Sequence, residues 1–211
     1  MLEKPLAFAF CALIRILTGT RVIWRGTAPE MRARVYYANH RSHGDFLLIW
    51  AILPPAARAV TRPVAGSDYW LRGRIRRYLI ERVFRGVLID RHIKRGDDPI
   101  GVMLQPLLAG ESLIVFPEGT RNQGDGILPF KPGIHHLASI RPETEFVPVW
   151  IENLSRALPK GGMLVVPLLC TVTVGTPITL EPGERRADFL TRCQNALLAL
   201  EPADSIEHEH L

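Results

Sequence analysis

RVYYANHRSHGDFLLIWAIL, residues 34–53, changes its period once, and that change decides the fold. Residues 34–38 form a short β-branched and aromatic run that reads as a strand. Residues 39–45, NHRSHGD, are polar and contain a glycine, and residues 45–53 are apolar enough for a buried helix. A strand, a tight turn and a helix in immediate succession are the unit from which helix-covered parallel sheets are built.

The same alternation extends outward. Strands are predicted at 61–65, 86–89, 112–116, 145–151 and 169–174, and helices at 69–83, 99–109, 133–140 and 187–200. Glycines and prolines such as Pro54-Pro55, Gly66 and Gly119 fall between these runs and punctuate them. The expected fold is α/β, with a mostly parallel or mixed central sheet flanked by helices in one domain over residues 26–200. The chain of 211 residues is long enough to bury a core of that size. Residues 201–211 are expected to fray.

Residues 1–25 are a separate apolar and basic segment. Its uncharged run, 5–14, stops at Arg15, well short of the roughly 20 apolar residues that cross a bilayer. No small-residue cleavage site follows, so the segment is expected to be retained. Lys4, Arg15, Arg21, Trp24 and Arg25 flank it, and the expectation is a helix lying shallowly among lipid headgroups. Packing on the core is the other reading. A net charge of +5 and a pI near 9.4 favour an anionic partner, which by charge alone is nucleic acid, anionic lipid or a phosphorylated substrate. Within 69–86, arginines at 72, 74, 76, 77, 82 and 85 surround an apolar stripe of Leu71, Ile75, Leu79 and Val83. They lack the aromatic interleaving of single-strand readers, so a membrane surface is the expected partner and nucleic acid is not. Cys11, Cys170 and Cys193 are odd in number, without CxxC or metal-ligand spacing, and are read as reduced thiols.

The chemistry gathers at predicted strand ends. His40 and Asp45 lie five positions apart across a turn in which Gly44 is expected to take unusual dihedrals, so the carboxylate can fold back to one ring nitrogen and leave the other as a general base. The competing reading makes Asp45 a helix cap. Ser42 has no G-x-S-x-G elbow around it, and the nucleophile is therefore expected to be a substrate oxygen. In FPEGTR, 116–121, Gly119 permits a tight turn and Arg121 is placed to grip an oxyanion. Glu118 there either orients a hydroxyl, anchors a neighbouring arginine or pairs with Arg121. GVLIDR, 86–91, ends in Asp90-Arg91 at a strand's carboxyl edge, and FKPG, 130–133, supplies Lys131. If the strands run parallel, these groups, Thr120 among them, share one rim and form a basic pocket.

In this order NH-x4-D, G-x-x-x-D-R, FPEGTR, F-K-x-G and V-P-V (147–149) resemble the motifs of the glycerolipid acyltransferase superfamily, particularly bacterial 1-acylglycerol-3-phosphate acyltransferases, over residues 24–180. The resemblance implies His40 as general base with Asp45 as its partner, and Gly86, Arg91, Glu118, Gly119 and Arg121 around a glycerol-phosphate group. It implies transfer of a fatty acyl group to the free hydroxyl of a lysophospholipid, 1-acylglycerol-3-phosphate, giving phosphatidate for phospholipid biosynthesis. The co-substrate would be acyl-CoA or acyl carrier protein, with no metal and no bound cofactor, at the cytoplasmic face of a membrane with peripheral or shallow attachment. Another lysolipid or glycerol-3-phosphate as acceptor, a thioesterase and a non-enzymatic basic membrane-binding protein are the alternatives. One departure from the family pattern is His43-Gly44, which stands where bulky apolar residues are common and makes the turn smaller and more polar.

Overall fold

β2, Arg34–Ala38, is buried at all five positions because it is the middle strand of the sheet. The computed structural model describes residues 3–42, 44–90, 97–122, 124, 126–152 and 169–202. In chain order its elements are α1 (Glu3–Thr18), β1 (Arg21–Trp24), β2, α2 (Asp45–Ile52), α3 (Pro55–Ala59), β3 (Thr61–Gly66), α4 (Ser67–Trp70) and α5 (Arg74–Tyr78). A π-helical turn (Leu79–Val83) follows, then β4 (Val87–Ile89), α6 (Pro99–Leu108), β5 (Ser112–Val115), α7 (Gly133–Ile140), β6 (Glu145–Glu152), β7 (Thr171–Val174) and α8 (Arg186–Leu198).

The strand order is β1-β7-β6-β2-β5-β3-β4. β6, β2, β5, β3 and β4 are mutually parallel, whereas β7 pairs antiparallel with β6 and β1 runs with β7. The result is a mostly parallel sheet with a reversed two-strand edge. Successive side chains of β2 point to opposite faces. Tyr36 joins the core made with α1, α2 and the π turn, including Phe46, Leu48, Ile80 and Phe84, while Tyr37 joins the core under α6, α7 and α8, including Leu107, Leu137 and Phe189. The buried Tyr37 hydroxyl donates to the carbonyl of Cys193 at 3.0 Å, which pins α8 to the sheet.

Three expectations change. Residues 21–24, which the sequence attached to the N-terminal segment, form the edge strand β1. The single helix predicted over 69–83 is broken into α4, α5 and the π turn, because Gly73 takes φ +101°, a conformation that a side-chain-bearing residue rarely adopts. Pro54-Pro55, placed between elements, instead starts the short helix α3, with proline at the first helical position where its missing N–H costs nothing. Among the described residues no helix is long and apolar enough to cross a membrane.

Candidate active site

The site sits where β2, β3, β4 and β5 end at their carboxyl edges. β2 delivers the turn that carries His40, and α2 begins at Asp45 straight after it. The Asp45 carboxylate is buried and uses one oxygen three times: Oδ2 lies 2.8 Å from His40 Nδ1 and accepts the backbone N–H groups of Arg41 at 2.7 Å and Ser42 at 2.8 Å. Gly44, the residue capping α2, has φ −84°, which any residue adopts, so the turn does not draw on glycine's freedom. Asp45 is the first helical residue rather than the cap, and its carboxylate folds back over the turn. Two backbone donors fix its position and leave it to orient the imidazole.

The opposite wall comes from the segment after β5. The Phe116 ring stacks on His40 with centroids 4.2 Å apart and planes 22° from parallel. With Nδ1 committed to Asp45 and one ring face covered by Phe116, Nε2 has no hydrogen-bond partner among the described residues, and His40 lines an open cavity of about 470 Å³. Most of the lining is apolar, with the buried Phe46, Met103, Val115, Ile134 and Leu137 among it; Asp90, Lys131 and His136 are polar and exposed.

Glu118 forms no ion pair with Arg121 among the described residues, and its carboxylate is held by backbone groups. It is 2% exposed, and its two oxygens accept the backbone N–H groups of His40 at 2.8 Å and Leu128 at 2.9 Å. Burial pushes its carboxyl above the usual carboxylate range, against the opposing pull of those two N–H groups. It is a clamp between the His40 turn and the 119–128 loop, strengthened by the Asn122 N–H donating to the His40 carbonyl at 2.7 Å. Gly119 has φ +70°, and a Cβ there would stand 2.6 Å from Lys131 Cε and 2.7 Å from Lys131 Nζ, so the lysine lies across the face of the glycine. Its backbone is anchored by the Lys131 N–H donating to the Pro117 carbonyl at 2.8 Å.

The structure thus brings His40, Asp45, Glu118, Gly119 and Lys131 together. Thr120 is exposed and Arg121 half-buried in the same turn, though neither lines the cavity; among the described residues the Arg121 guanidinium has no hydrogen-bond or ion-pair partner. Gly86 precedes β4, at the amino end of that strand, whereas Asp90 follows its carboxyl end. A Cβ on Gly86 would come 2.5 Å from Ile80 Cδ1 and 3.2 Å from the Pro63 carbonyl, so glycine there serves close packing. Arg91 and His43 lie outside the described residues. Sequence reasoning passed over Asn39, whose side chain donates to the Ile151 carbonyl at 2.9 Å and accepts its N–H at 2.8 Å, tying the end of β2 to β6. It also gave no role to Phe116, or to His136 five residues beyond Lys131. Among the described residues no group of three or more His, Cys, Asp and Glu side chains is arranged to hold a metal ion.

Residues 21–152, more than half of the chain, match the family described as Acyltransferase. The chain is 32% identical over 180 residues to human 1-acyl-sn-glycerol-3-phosphate acyltransferase alpha, an alignment covering 80% of this chain and 58% of that protein. It is 30% identical over 152 residues to the 1-acyl-sn-glycerol-3-phosphate acyltransferase of Salmonella typhimurium, covering 66% and 57%. It therefore spans less than two thirds of the length of these relatives. Its fold is like that of the crystal structure of the 1-acyl-sn-glycerophosphate acyltransferase PlsC from Thermotoga maritima, with a TM-score of 0.74 at 19% identity, over 98% of this chain and 80% of that one. The matched region holds β1 through β6 and with them the His40–Asp45 pair, and the chain belongs to the acyltransferase family.

Proposed function

We propose that this chain transfers a fatty acyl group from a thioester, acyl-CoA or acyl carrier protein, to the free hydroxyl of 1-acylglycerol-3-phosphate, producing phosphatidate. The observation that carries this reading is the His40–Asp45 pair, its carboxylate buried and its imidazole lining a largely apolar cavity. His40 Nε2 takes the proton of the acceptor hydroxyl as that oxygen attacks the thioester carbonyl; the C–S bond then breaks and the thiolate leaves with a proton. Positioned proton transfer of this kind contributes roughly 10²- to 10⁴-fold. At about 30 Å³ per water-sized group, the cavity of about 470 Å³ suits a fatty chain far better than an acetyl group. The names of the relatives support the same acceptor.

Work at a membrane surface, peripherally on its cytoplasmic face, belongs to this proposal. On α1, Phe8, Leu13 and Ile16 are exposed. So are Leu71, Ile75 and Tyr78, on a stretch that also exposes Arg72, Arg74, Arg76 and Arg77. Apolar side chains interleaved with arginines suit the boundary between acyl chains and phosphates.

The test is purified protein given labelled acyl-CoA and a panel of acceptors, with His40→Ala beside wild type. Acylated 1-acylglycerol-3-phosphate from wild type and almost none from His40→Ala is the expected result. Free fatty acid with or without acceptor would make the chain a thioesterase, and no turnover with intact vesicle binding would make it a membrane-binding protein.

A further inference from the structure

We infer that His136, together with Lys131, receives the phosphate of the acceptor at the cavity mouth; the inference rests on the acyl-transfer reading above and names a substrate contact within it. The cavity has a direction. Its inner wall is buried and apolar, through Phe46, Met103, Ile134 and Leu137, while Asp90, Lys131 and His136 stand exposed at its rim. A hydrated, anionic head group belongs at that rim and an acyl chain inside, since burying a charge without a partner is costly.

α7 decides which of its two adjacent histidines does this. His135 turns to the body of the protein, where its ring meets Phe189 edge-on at 5.9 Å and its backbone carbonyl accepts the Ser139 hydroxyl at 2.9 Å; burial lowers its pKa. His136, one position on, lines the cavity instead, and among the described residues its ring has no hydrogen-bond or ion-pair partner. Neither has the Lys131 ammonium, which Gly119 lets lie across the motif turn. An imidazole offers an N–H donor whether neutral or protonated, so it can serve a phosphate oxygen in either state. Asp90 is the one acidic residue among the cavity's described lining, and it makes an interaction of its own. Arg121, the expected phosphate grip, does not line the cavity; among the described residues the cationic and donor groups that line it on this side are Lys131 and His136.

The test is equilibrium binding by calorimetry of a short-chain 1-acylglycerol-3-phosphate, the matching monoacylglycerol and free CoA to wild type, His136→Ala and His136→Lys. Alanine removes the hydrogen bond to a charged group, so His136→Ala should raise the Kd for the phosphorylated ligand about tenfold or more. The preference for it over monoacylglycerol should fall by the same factor, and His136→Lys should restore it. His136 is exposed, and melting temperatures close to wild type would exclude a folding defect. An unchanged preference, equal losses for both lipids, or a rise in Kd for CoA alone would overturn the assignment. Acyl transfer measured on the same preparations tests the parent reading separately: binding that behaves as described beside absent turnover would sink the enzyme and keep the phosphate contact.

Discussion

Glu118 Oε1 accepts the backbone N–H of His40 at 2.8 Å, so the FPEGTR turn governs the imidazole through its main chain. The second oxygen holds Leu128 N–H at 2.9 Å, and both bonds are made by a carboxylate that is 2% exposed. Glutamine in its place keeps one acceptor oxygen and points an NH₂ at a donor. Glu118→Gln should therefore lose about 1–3 kcal/mol of stability, the cost of leaving a buried donor unsatisfied. It should lower kcat more than it raises KM for the acceptor, because His40 moves while the cavity mouth does not. Urea unfolding and steady-state kinetics check this; a selective rise in KM would return Glu118 to direct substrate contact.

The same carboxyl gives a pH signature. Its pKa is raised in the folded protein by burial, so the native state holds its proton to higher pH than the unfolded chain does. Its contribution to stability is then full below the unfolded value of about 4.5 and is lost as pH rises through the raised folded value. Subtracting the Glu118→Gln unfolding free energy from that of wild type at a series of pH values should give a difference that declines upward through this window. A difference rising with pH would mean that the two N–H groups outweigh burial.

Asp45 supports a sharper test of catalysis. Its Oδ2 orients His40 and also holds the N–H groups of Arg41 and Ser42, so asparagine retains the shape of the turn while weakening the charge-assisted bonds. Asp45→Asn should cut kcat on the order of 10²- to 10⁴-fold with secondary structure intact by circular dichroism. The double variant with His40→Ala should be no slower than His40→Ala alone, since the two residues act as one unit. Additive losses would separate them.

The dyad was legible because it depends on local geometry: a strand end, a short turn and a helix start leave residues 40 and 45 little choice but to approach. Glu118 was in view as a residue, but its partners are backbone groups at positions 40 and 128, which no side-chain pattern announces. His136 was hidden because a histidine pair on a short helix carries no period that says which ring faces a cavity. The edge strand β1 was missed because four residues of RVIW beside an apolar helix read as that helix's flank. Gly73 was visible in the sequence, yet the basic apolar run around it masked its power to break a helix.

Gly119 links turn geometry to the cation at the cavity. At φ +70° an alanine is strained by roughly 1–2 kcal/mol, and its Cβ would collide with Lys131 Cε and Nζ. Gly119→Ala should therefore push the ammonium off the turn and raise KM for the phosphorylated acceptor several-fold, with a smaller effect on a phosphate-free one. Equal kinetics toward both acceptors would show that Lys131 takes no part in holding phosphate.

Exposed apolar side chains next to unpaired arginines make membrane contact testable without any assay of catalysis. Phe8 is 73% exposed and Ile75 77%, and α1 packs beside the π turn that continues the Arg74–Tyr78 helix. Arg77 is paired with Glu81 at 2.9 Å, whereas among the described residues Arg72 and Arg74 have no ion pair. Each arginine near an anionic surface is worth about 1 kcal/mol, and fully burying an Ile or Phe side chain about 1.5–3 kcal/mol. The protein should float with phosphatidylglycerol vesicles and release from them as salt rises. Arg72→Gln/Arg74→Gln should remove most of the salt-sensitive part, and Phe8→Ser/Ile75→Ser the part that salt leaves behind. The two losses differ in kind because charge acts through the aqueous layer and is screened, while the apolar side chains act only once they are inside the acyl boundary. Binding equal on neutral and anionic vesicles, or unmoved by both pairs of substitutions, would place the membrane contact elsewhere on the chain.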